Sequence, residues 1–563
     1  MFLRDLRSFP VCVLIVLLLT LPLQAAEPQF YSEESSGELS EKLLALMTDE
    51  EKIGQILMLG YMGDRPSEEI MMWVRDRGIG GIKIFGWNAN DLSNLTYTIS
   101  AMQKAASANR FSIPLLIATD QEGGWVRHVR GNTSMTPGNL ALGASDYLYD
   151  AWQTGYYIGL ELKTLGINMN FAPVVDVYLN PEADVIGPRA FSSDPVKTAM
   201  MGLSFYRGMD MTGVISTAKH FPGHGDTDKD SHGTLPRIDI ELDQLEQIDL
   251  IPYKILINDN IPSIMVGHLS FPRITQDARP ASLSAFFITD LLRNELGYKG
   301  LIISDDLFMH GARSDGLPLP LVCEQGIRAG LDLLLVSRNP GEHEKIWVHL
   351  LNLMKDDQLF RDAVDRSVRQ VLLTKMNYLK SEDSVPLAPD ETGPPEERLP
   401  AAGAPDFFLQ QALRSVSVLK NNCFPLEEDA RYLLAGSFSS FFYEGRNRFA
   451  RSDFHRFSYN PDIAEIAETA ETIERWSSSY DHIVFNLHNH ETLQILKRLE
   501  PIKEKLIVFS VLTPVYLAEV PWVQNSIAVY GTGDVSFRAG FAYLAGDYNP
   551  DSIVPVAMEG LTE

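Results

Sequence analysis

Between residues 53 and 336, short apolar runs recur, separated by stretches with helical spacing. The runs are Ile53–Tyr61, Gly80–Phe85, Pro114–Thr119, Ile167–Val175, Gly213–Ala218, Ser263–Gly267, Gly300–Ser304 and Leu331–Val336. Each is apolar almost throughout rather than alternating, the pattern of a strand covered on both faces in a parallel sheet. Eight such runs joined by helices predict an α/β fold, a (β/α)8 barrel over residues 40–380. Thr48, followed three residues later by Glu51, predicts a capped helix just ahead of the first strand.

Polar residues fall where the runs end: Asp120, Asp176, Lys219-His220, His268, Asp305-Asp306 and Ser337, with Asn88 just beyond the second run. The C-terminal ends of barrel strands share one bowl, so these scattered residues are expected to converge there. An Asp after a strand is also a common helix N-cap. Capping does not favour Lys-His or paired acids at a buried strand end, so the set as a whole points to chemistry.

Past residue 380 the pattern changes. Residues 381–405, SEDSVPLAPDETGPPEERLPAAGAP, are rich in Pro and acids and nearly free of large apolar side chains. Such a segment cannot build a core and reads as an extended linker. Residues 406–563 then show a helix at Gln410–Lys420 and strand candidates at Tyr432–Ala435, His482–Leu487, Leu506–Val511 and Ser526–Tyr530. Helical stretches separate the strands, which predicts a smaller α/β/α sandwich domain. No Gly-rich phosphate loop is present, so nucleotide binding has no support.

Composition narrows the function classes. The 563 residues carry 48 Lys+Arg against 74 Asp+Glu, a net charge of −26, with 45% apolar residues. A phosphate backbone or anionic lipid surface needs clustered Lys/Arg, and no such run exists. The N-terminus has Arg4 and Arg7, an apolar run from Val11 to Leu23, and the small-residue end Leu23-Gln24-Ala25-Ala26. This reads as a secretory signal peptide over residues 1–26, so the chain is expected to be exported, to the periplasm or outside the cell, without stable membrane insertion after cleavage. An uncleaved N-terminal anchor is the alternative. Cys323 and Cys423 are too sparse for a disulfide framework and read as free buried thiols.

The densest patch of ionisable residues is KHFPGHGDTDKDSHGTLP, residues 219–236. Pro222, Gly223 and Gly225 make it a loop rather than a helix. Three readings compete: a metal site from His220, His224 and His232; a solvated loop without a role; and a mobile loop carrying a general acid/base. In an extended segment residues i and i+2 face one side. Asp230 can therefore accept from one nitrogen of His232 and leave the other free for proton transfer. GYKGLIISDDL (297–307) supplies a second half: a buried strand ending in two acids, of which side-chain alternation lets only one enter the bowl. An Asp there with Lys219 and Arg189 around it would stay ionised, as a carboxylate nucleophile must.

These residues also resemble a known family. KHFPGHGDTDKDSH is similar to the signature of the β-N-acetylglucosaminidase branch of glycoside hydrolase family 3. DQEGGWV (120–126), NFAPVVDV (170–177), VIGPRAF (185–191) and LIISDDLFMHGA (301–312) follow in the family's order over residues 40–375. VSVLKNNCFPLE and GDYNPDSIVPVAM resemble its second, α/β sandwich domain. The resemblance implies Asp305 as nucleophile and Asp230–His232 as the acid/base dyad. It implies Asp120, Arg189, Lys219 and His220 as hydrogen-bond partners of the terminal sugar, with Asp176 supporting or structural. It also implies retaining removal of terminal β-linked N-acetylglucosamine from peptidoglycan fragments or related amino-sugar oligosaccharides, with no metal or organic cofactor. A β-glucosidase of the same family and a non-catalytic glycan-binding protein are the alternatives. Trp125 stands where the branch usually has Arg, with Arg127 and Arg130 as partial substitutes, and Ala190 replaces a common Ser.

Overall fold

A computed structural model describes residues 27–558 other than 228–230, 232, 314, 315, 338 and 339. The signal-peptide segment and the dyad Asp230–His232 lie outside the described residues. No described helix is long and apolar enough to cross a membrane.

Eight parallel strands form the first sheet: β1 (Leu57–Gly60), β2 (Gly81–Ile84), β3 (Leu116–Thr119), β4 (Met169–Asn170), β5 (Ile215–Phe221), β6 (Ser263–Val266), β7 (Leu301–Ser304) and β8 (Leu334–Val336). They pair in chain order, and β8 returns to β1 through Leu57–Leu334, Met58–Leu335 and Leu59–Val336. A parallel bridge from Ile303 to Leu333 joins β7 to the β8 segment. The sheet is thereby a nearly closed (β/α)8 barrel, as the apolar runs predict. Helices such as Leu92–Ser107, Pro195–Asp210 and Gln358–Leu379 cover it, capped by Asp91, Asp194 and Asp357.

The strands are shorter than the apolar runs, for local reasons. Ile53–Gln55 belongs to a helix that the Thr48–Glu51 capping box starts. At β4 the side chains of Asn168 and Asn170 take over part of the ladder. Asn168 accepts from Ile117 N (2.8 Å) and donates to Leu115 O (3.0 Å), while Asn170 accepts from Gln121 N (2.9 Å) and donates to Gln121 O (2.9 Å). Pro173, without an N–H, cannot continue the ladder.

Residues 381–405 run over the barrel surface as a strap with two short 3-10 turns, Pro389–Thr392 and Pro395–Glu397. Its few apolar side chains, Val385 and Leu399 among them, are buried against the barrel. Ser93 donates to Glu396 (2.9 Å), and Ala401 N donates to the buried carboxylate of Glu161 (3.0 Å).

The second domain has six strands: β9 (Ser417–Lys420), β10 (Tyr432–Gly436), β11 (Ser452–Arg456), β12 (His482–Leu487), β13 (Leu506–Ser510) and β14 (Ser526–Ala528). Their order is β9-β14-β13-β12-β10-β11, all parallel except β9. Helices on both faces make it an α/β/α sandwich. Two expectations need correction. The helix expected at Gln410–Lys420 spans Ala404–Ser415, after which 417–420 turns into the antiparallel edge strand. β11, the other edge, was not expected at all, because four of its five residues are polar and it forms no apolar run. Arg414 joins the domains through a bidentate pair with the buried Asp150 (2.6 and 3.0 Å). Cys323 is free and buried, whereas Cys423 is free and only half-buried.

Candidate active site

A pocket of about 320 Å³ opens at the C-terminal ends of the barrel strands. Seven of the eight strand ends contribute to it: Lys83 from β2, Asp120 after β3, Phe171 after β4, Lys219 and His220 from β5, Met265 from β6, Asp305 after β7 and Leu335 from β8. Of the residues expected at the site, Asp120, Arg189, Lys219, His220 and Asp305 line this one pocket.

Most of them belong to a single chain of ion pairs. Lys219 Nζ lies 2.5 Å from Asp120 Oδ1 and 2.6 Å from Glu122 Oε1. Lys83 pairs with the other oxygen of Asp120. Arg189 grips Glu122 with both Nε (2.8 Å) and Nη2 (2.7 Å), and its Nη2 also lies 3.3 Å from His220 Nε2. His220 Nδ1 is 2.7 Å from Asp176 Oδ2, and Asp176 Oδ1 accepts from the backbone N–H of His220 (3.1 Å) and His224 (2.8 Å). Asp176 is fully buried behind His220 and does not line the pocket. It orients His220 and the start of the 222–227 segment.

The electrostatics follow from these contacts. Burial alone raises the carboxyls of Asp120 and Glu122, but the cations overcome it: Lys219 and Lys83 hold Asp120 well below the usual carboxylate range, and Arg189 and Lys219 lower Glu122. Burial likewise opposes the charge on Lys219, yet Asp120 and Glu122 raise its pKa overall. Asp176 is brought to about 2, since burial is outweighed by His220. Desolvation lowers His128 and His224 to about 4, so both rings are neutral near pH 7.

Two expectations about the acids change. Asp305 and Asp306 both line the pocket, because the chain leaves the strand geometry after Ser304 and alternation no longer applies. Lys219 and Arg189 are bound directly by Asp120 and Glu122, so Lys219 contributes only a lesser lowering influence at Asp305. What keeps Asp305 below the usual range against its burial is chiefly His220 and His268, with a hydrogen bond from Asp306 N (2.7 Å). Asp306 is raised by burial, which the amides of Phe308 (3.1 Å) and Ser337 (3.2 Å) only partly offset. His268 sits beneath, with Nδ1 2.7 Å from Ser282 Oγ and Nε2 3.1 Å from Asp306 O.

The remaining strand-end residues divide clearly. Asn88 donates to the carbonyls of Tyr61 (3.1 Å) and Gly63 (2.5 Å) and ties two loops together away from the pocket. Both ring nitrogens of His220 are engaged, one by Asp176 and one by Arg189, which removes it from the three-histidine metal reading. Among the described residues no group of three His, Cys, Asp or Glu has metal-binding geometry. Ser231, between the two dyad residues, lines the pocket, and its carbonyl accepts from Gly311 N (3.0 Å).

Sequence reasoning missed Lys83, Glu122 and His128. A lone Lys inside the apolar run GIKIF was the available signal for Lys83. Trp125 lies on the pocket rim with 39% of its surface exposed. Arg127 points instead to the carbonyl of Ser134 (2.9 Å), and neither it nor Arg130 lines the pocket.

Comparison with known proteins agrees with this geometry. Residues 48–374 match the family model described as the glycosyl hydrolase family 3 N terminal domain. A "Beta-hexosaminidase A" of Pseudoalteromonas piscicida is 32% identical over 424 residues, 68% of this chain and 69% of that protein. A "Beta-hexosaminidase" of Tolumonas auensis is 36% identical over 286 residues, 50% of this chain and 83% of that protein. The solved structure of a glycoside hydrolase family 3 β-N-acetylglucosaminidase from Paenibacillus sp. superposes with a TM-score of 0.83 at 27% identity, covering 92% of this chain and 100% of that one. With its strand-end pocket and two-domain build, the chain belongs to glycosyl hydrolase family 3 and is a glycosidase.

Proposed function

We propose that the protein is an exported, retaining β-N-acetylhexosaminidase that removes terminal β-linked N-acetylglucosamine from peptidoglycan fragments or related amino-sugar oligosaccharides. Asp305 serves as nucleophile and Asp230–His232 as the acid/base dyad. The observation that carries this reading is the opposite perturbation of two adjacent acids in one pocket. His220 and His268 favour the carboxylate form of Asp305 against its burial, while burial raises Asp306. Environments that push two carboxyls apart assign their roles, and the one whose carboxylate form is favoured is fit to attack.

In the first step a carboxylate oxygen of Asp305 bonds to the anomeric carbon, and the glycosidic C–O bond breaks. The proton on His232 passes to the leaving oxygen. In the second step the neutral imidazole takes a proton from water, the water oxygen bonds to the anomeric carbon, and the ester to Asp305 opens. The free imidazole pKa of about 6.5 lets one group give and take the proton near neutral pH. Asp230, two residues away, would fix the tautomer. Asp120, Lys219, Arg189 and His220 present charged and polar groups to the hydroxyls of the bound sugar. Their mutual ion pairs hold them in place before substrate arrives. The pocket position of Ser231 and the names of the relatives support the amino-sugar reading.

The test compares chromogenic β-N-acetylglucosaminide with the matching β-glucoside, using wild type and Asp305→Ala. Release from the acetamido sugar alone, lost in a variant that retains the native circular dichroism, is the expected result. Preference for the glucoside would overturn the substrate assignment, and an active Asp305→Ala would overturn the nucleophile. Fractionation of cells and the N-terminal sequence of the mature chain test export.

A further inference from the structure

Among the described residues, no side chain from residues 406–558 lines the pocket. The second domain nevertheless holds the segment that forms one wall. That segment, residues 178–193, carries Val185, Ile186 and Arg189, all of which line the pocket. Its two ends meet through Tyr178 N–H and Ser192 O (3.0 Å), and a short 3-10 turn at Gly187–Arg189 lies inside it.

The second domain grips this loop at three places. Tyr178 Oη is 3.2 Å from Thr513 Oγ1. Tyr516 Oη donates to Asp184 Oδ1 at 2.6 Å, one residue before the pocket wall begins. Ser192 Oγ and Ser193 N donate to Pro555 O (2.7 and 3.0 Å), and Ala557 N donates to Ser193 Oγ (2.9 Å). On its other side the loop supports the base of the 219–236 segment, where Leu179 N and Asn180 N donate to Gly225 O (3.2 and 3.1 Å). Gly225 packs so tightly there that a Cβ would come within 1.6 Å of Val177 O.

We infer that the second domain positions the substrate pocket rather than supplying a reacting group, and that Tyr516, through Asp184, is its positioning residue. The inference rests on the reading of this pocket as the sugar site. Tyr516 is buried and does not line the pocket, and its hydroxyl is bound to Asp184, so its effect passes through the loop. Arg189 is the sensitive element, because it must meet Glu122 and His220 at fixed geometry from a loop without strand support.

The test uses the full chain. Tyr516→Phe deletes only the hydroxyl. We expect KM for the aryl β-N-acetylglucosaminide to rise about fivefold to tenfold with kcat within about twofold, the loss of about one hydrogen bond's worth of positioning. Backbone hydrogen exchange over residues 179–193 should quicken by a similar factor, while β12 and β13 stay unchanged. Asp184→Ala should reproduce both effects, Asp184→Asn, which keeps the accepting oxygen, should largely escape them, and the Tyr516→Phe/Asp184→Ala pair should be no worse than either single change. Arg414→Ala breaks an inter-domain pair away from the loop and should leave KM unchanged. Unaltered exchange in Tyr516→Phe, or an equal KM rise in Arg414→Ala, would overturn the inference. If the wild type splits no acetamido sugar, the functional reading fails, and the exchange comparison still decides whether Tyr516 sets the loop.

Discussion

Glu122 is the residue whose removal tests the ion-pair chain most directly. It is 1% exposed and accepts three close contacts, from Lys219 at 2.6 Å and from Arg189 at 2.7 and 2.8 Å. Glu122→Gln keeps the shape and removes the charge. Lys83 and Lys219 would then share Asp120, Arg189 would keep no direct carboxylate partner, and the amide NH2 would face a cation. Breaking a buried pair by losing one partner costs about 3–5 kcal/mol, since the survivor is left desolvated and unpaired. By contrast the exposed pair Lys42–Glu34 at 3.0 Å should contribute at most about 1 kcal/mol. Urea unfolding followed by tryptophan fluorescence should place the Glu122→Gln midpoint lower by roughly 1 M, with Lys42→Ala nearly unmoved. The same variant should shift the alkaline side of the kcat/KM profile toward lower pH. Glu122 is one of two carboxylates that raise the Lys219 pKa against burial. In the wild type, stability from that raised pKa is fully present below the unfolded value of about 10.4 and is lost only as pH rises through the folded value. Without Glu122 the ammonium loses its proton earlier. A midpoint and an alkaline limb both equal to wild type would refute the argument that this network is electrostatically coupled.

Three other outcomes follow from the same geometry. His232→Ala should slow oligosaccharide hydrolysis by about 10²–10⁴-fold, with a smaller loss in the first step for an aryl glycoside whose leaving group needs no proton; equal losses would argue against an acid role. Asp176→Asn should lower stability relative to wild type near neutral pH, and the gap should close as pH falls from the unfolded value of about 3.9 toward about 2, because a depressed carboxyl stabilises only while ionised; a gap independent of pH in acid unfolding would contradict this. Trp125→Ala should raise KM for oligosaccharides about threefold to tenfold while sparing a small aryl substrate, in keeping with loss of an exposed ring on the rim; steady-state kinetics on the two substrates decide it.

Much of the barrel and part of its site were legible in the sequence, and the reasons are specific. A parallel strand covered on both faces must be apolar, so a charge at its end stands out, as Asp120, Lys219 and Asp305 do. Glu122 stands out less. It lies on a small two-stranded ribbon, Gln121–Gly123 with Val126–Arg127, whose fold over the bowl is a tertiary event. Lys83 was hidden inside an apolar run, since nothing local tells a buried cation from an interruption. Arg189 sits on a loop without periodicity, so no strand end marks it, and its place among the sugar-binding residues came from the family resemblance. The alternation argument for Asp305 and Asp306 failed because it applies within a strand and the strand ends at Ser304. Edge strands β9 and β11 are partly exposed along their length, so neither needs the apolar run that marks a covered strand.

The pairing of β1 with β8 has a consequence for how the protein is made. The outer edge of the first barrel strand finds its partner only in the last, through Leu57–Leu334 and its neighbours. Throughout synthesis of everything between them, β1 presents unpaired backbone N–H and C=O groups of the kind that recruit another chain's strand. A translation product ending before Val336 would therefore be an adhesive open sheet rather than a smaller barrel, and the nascent chain is most exposed to aggregation in the interval before β8 is synthesised.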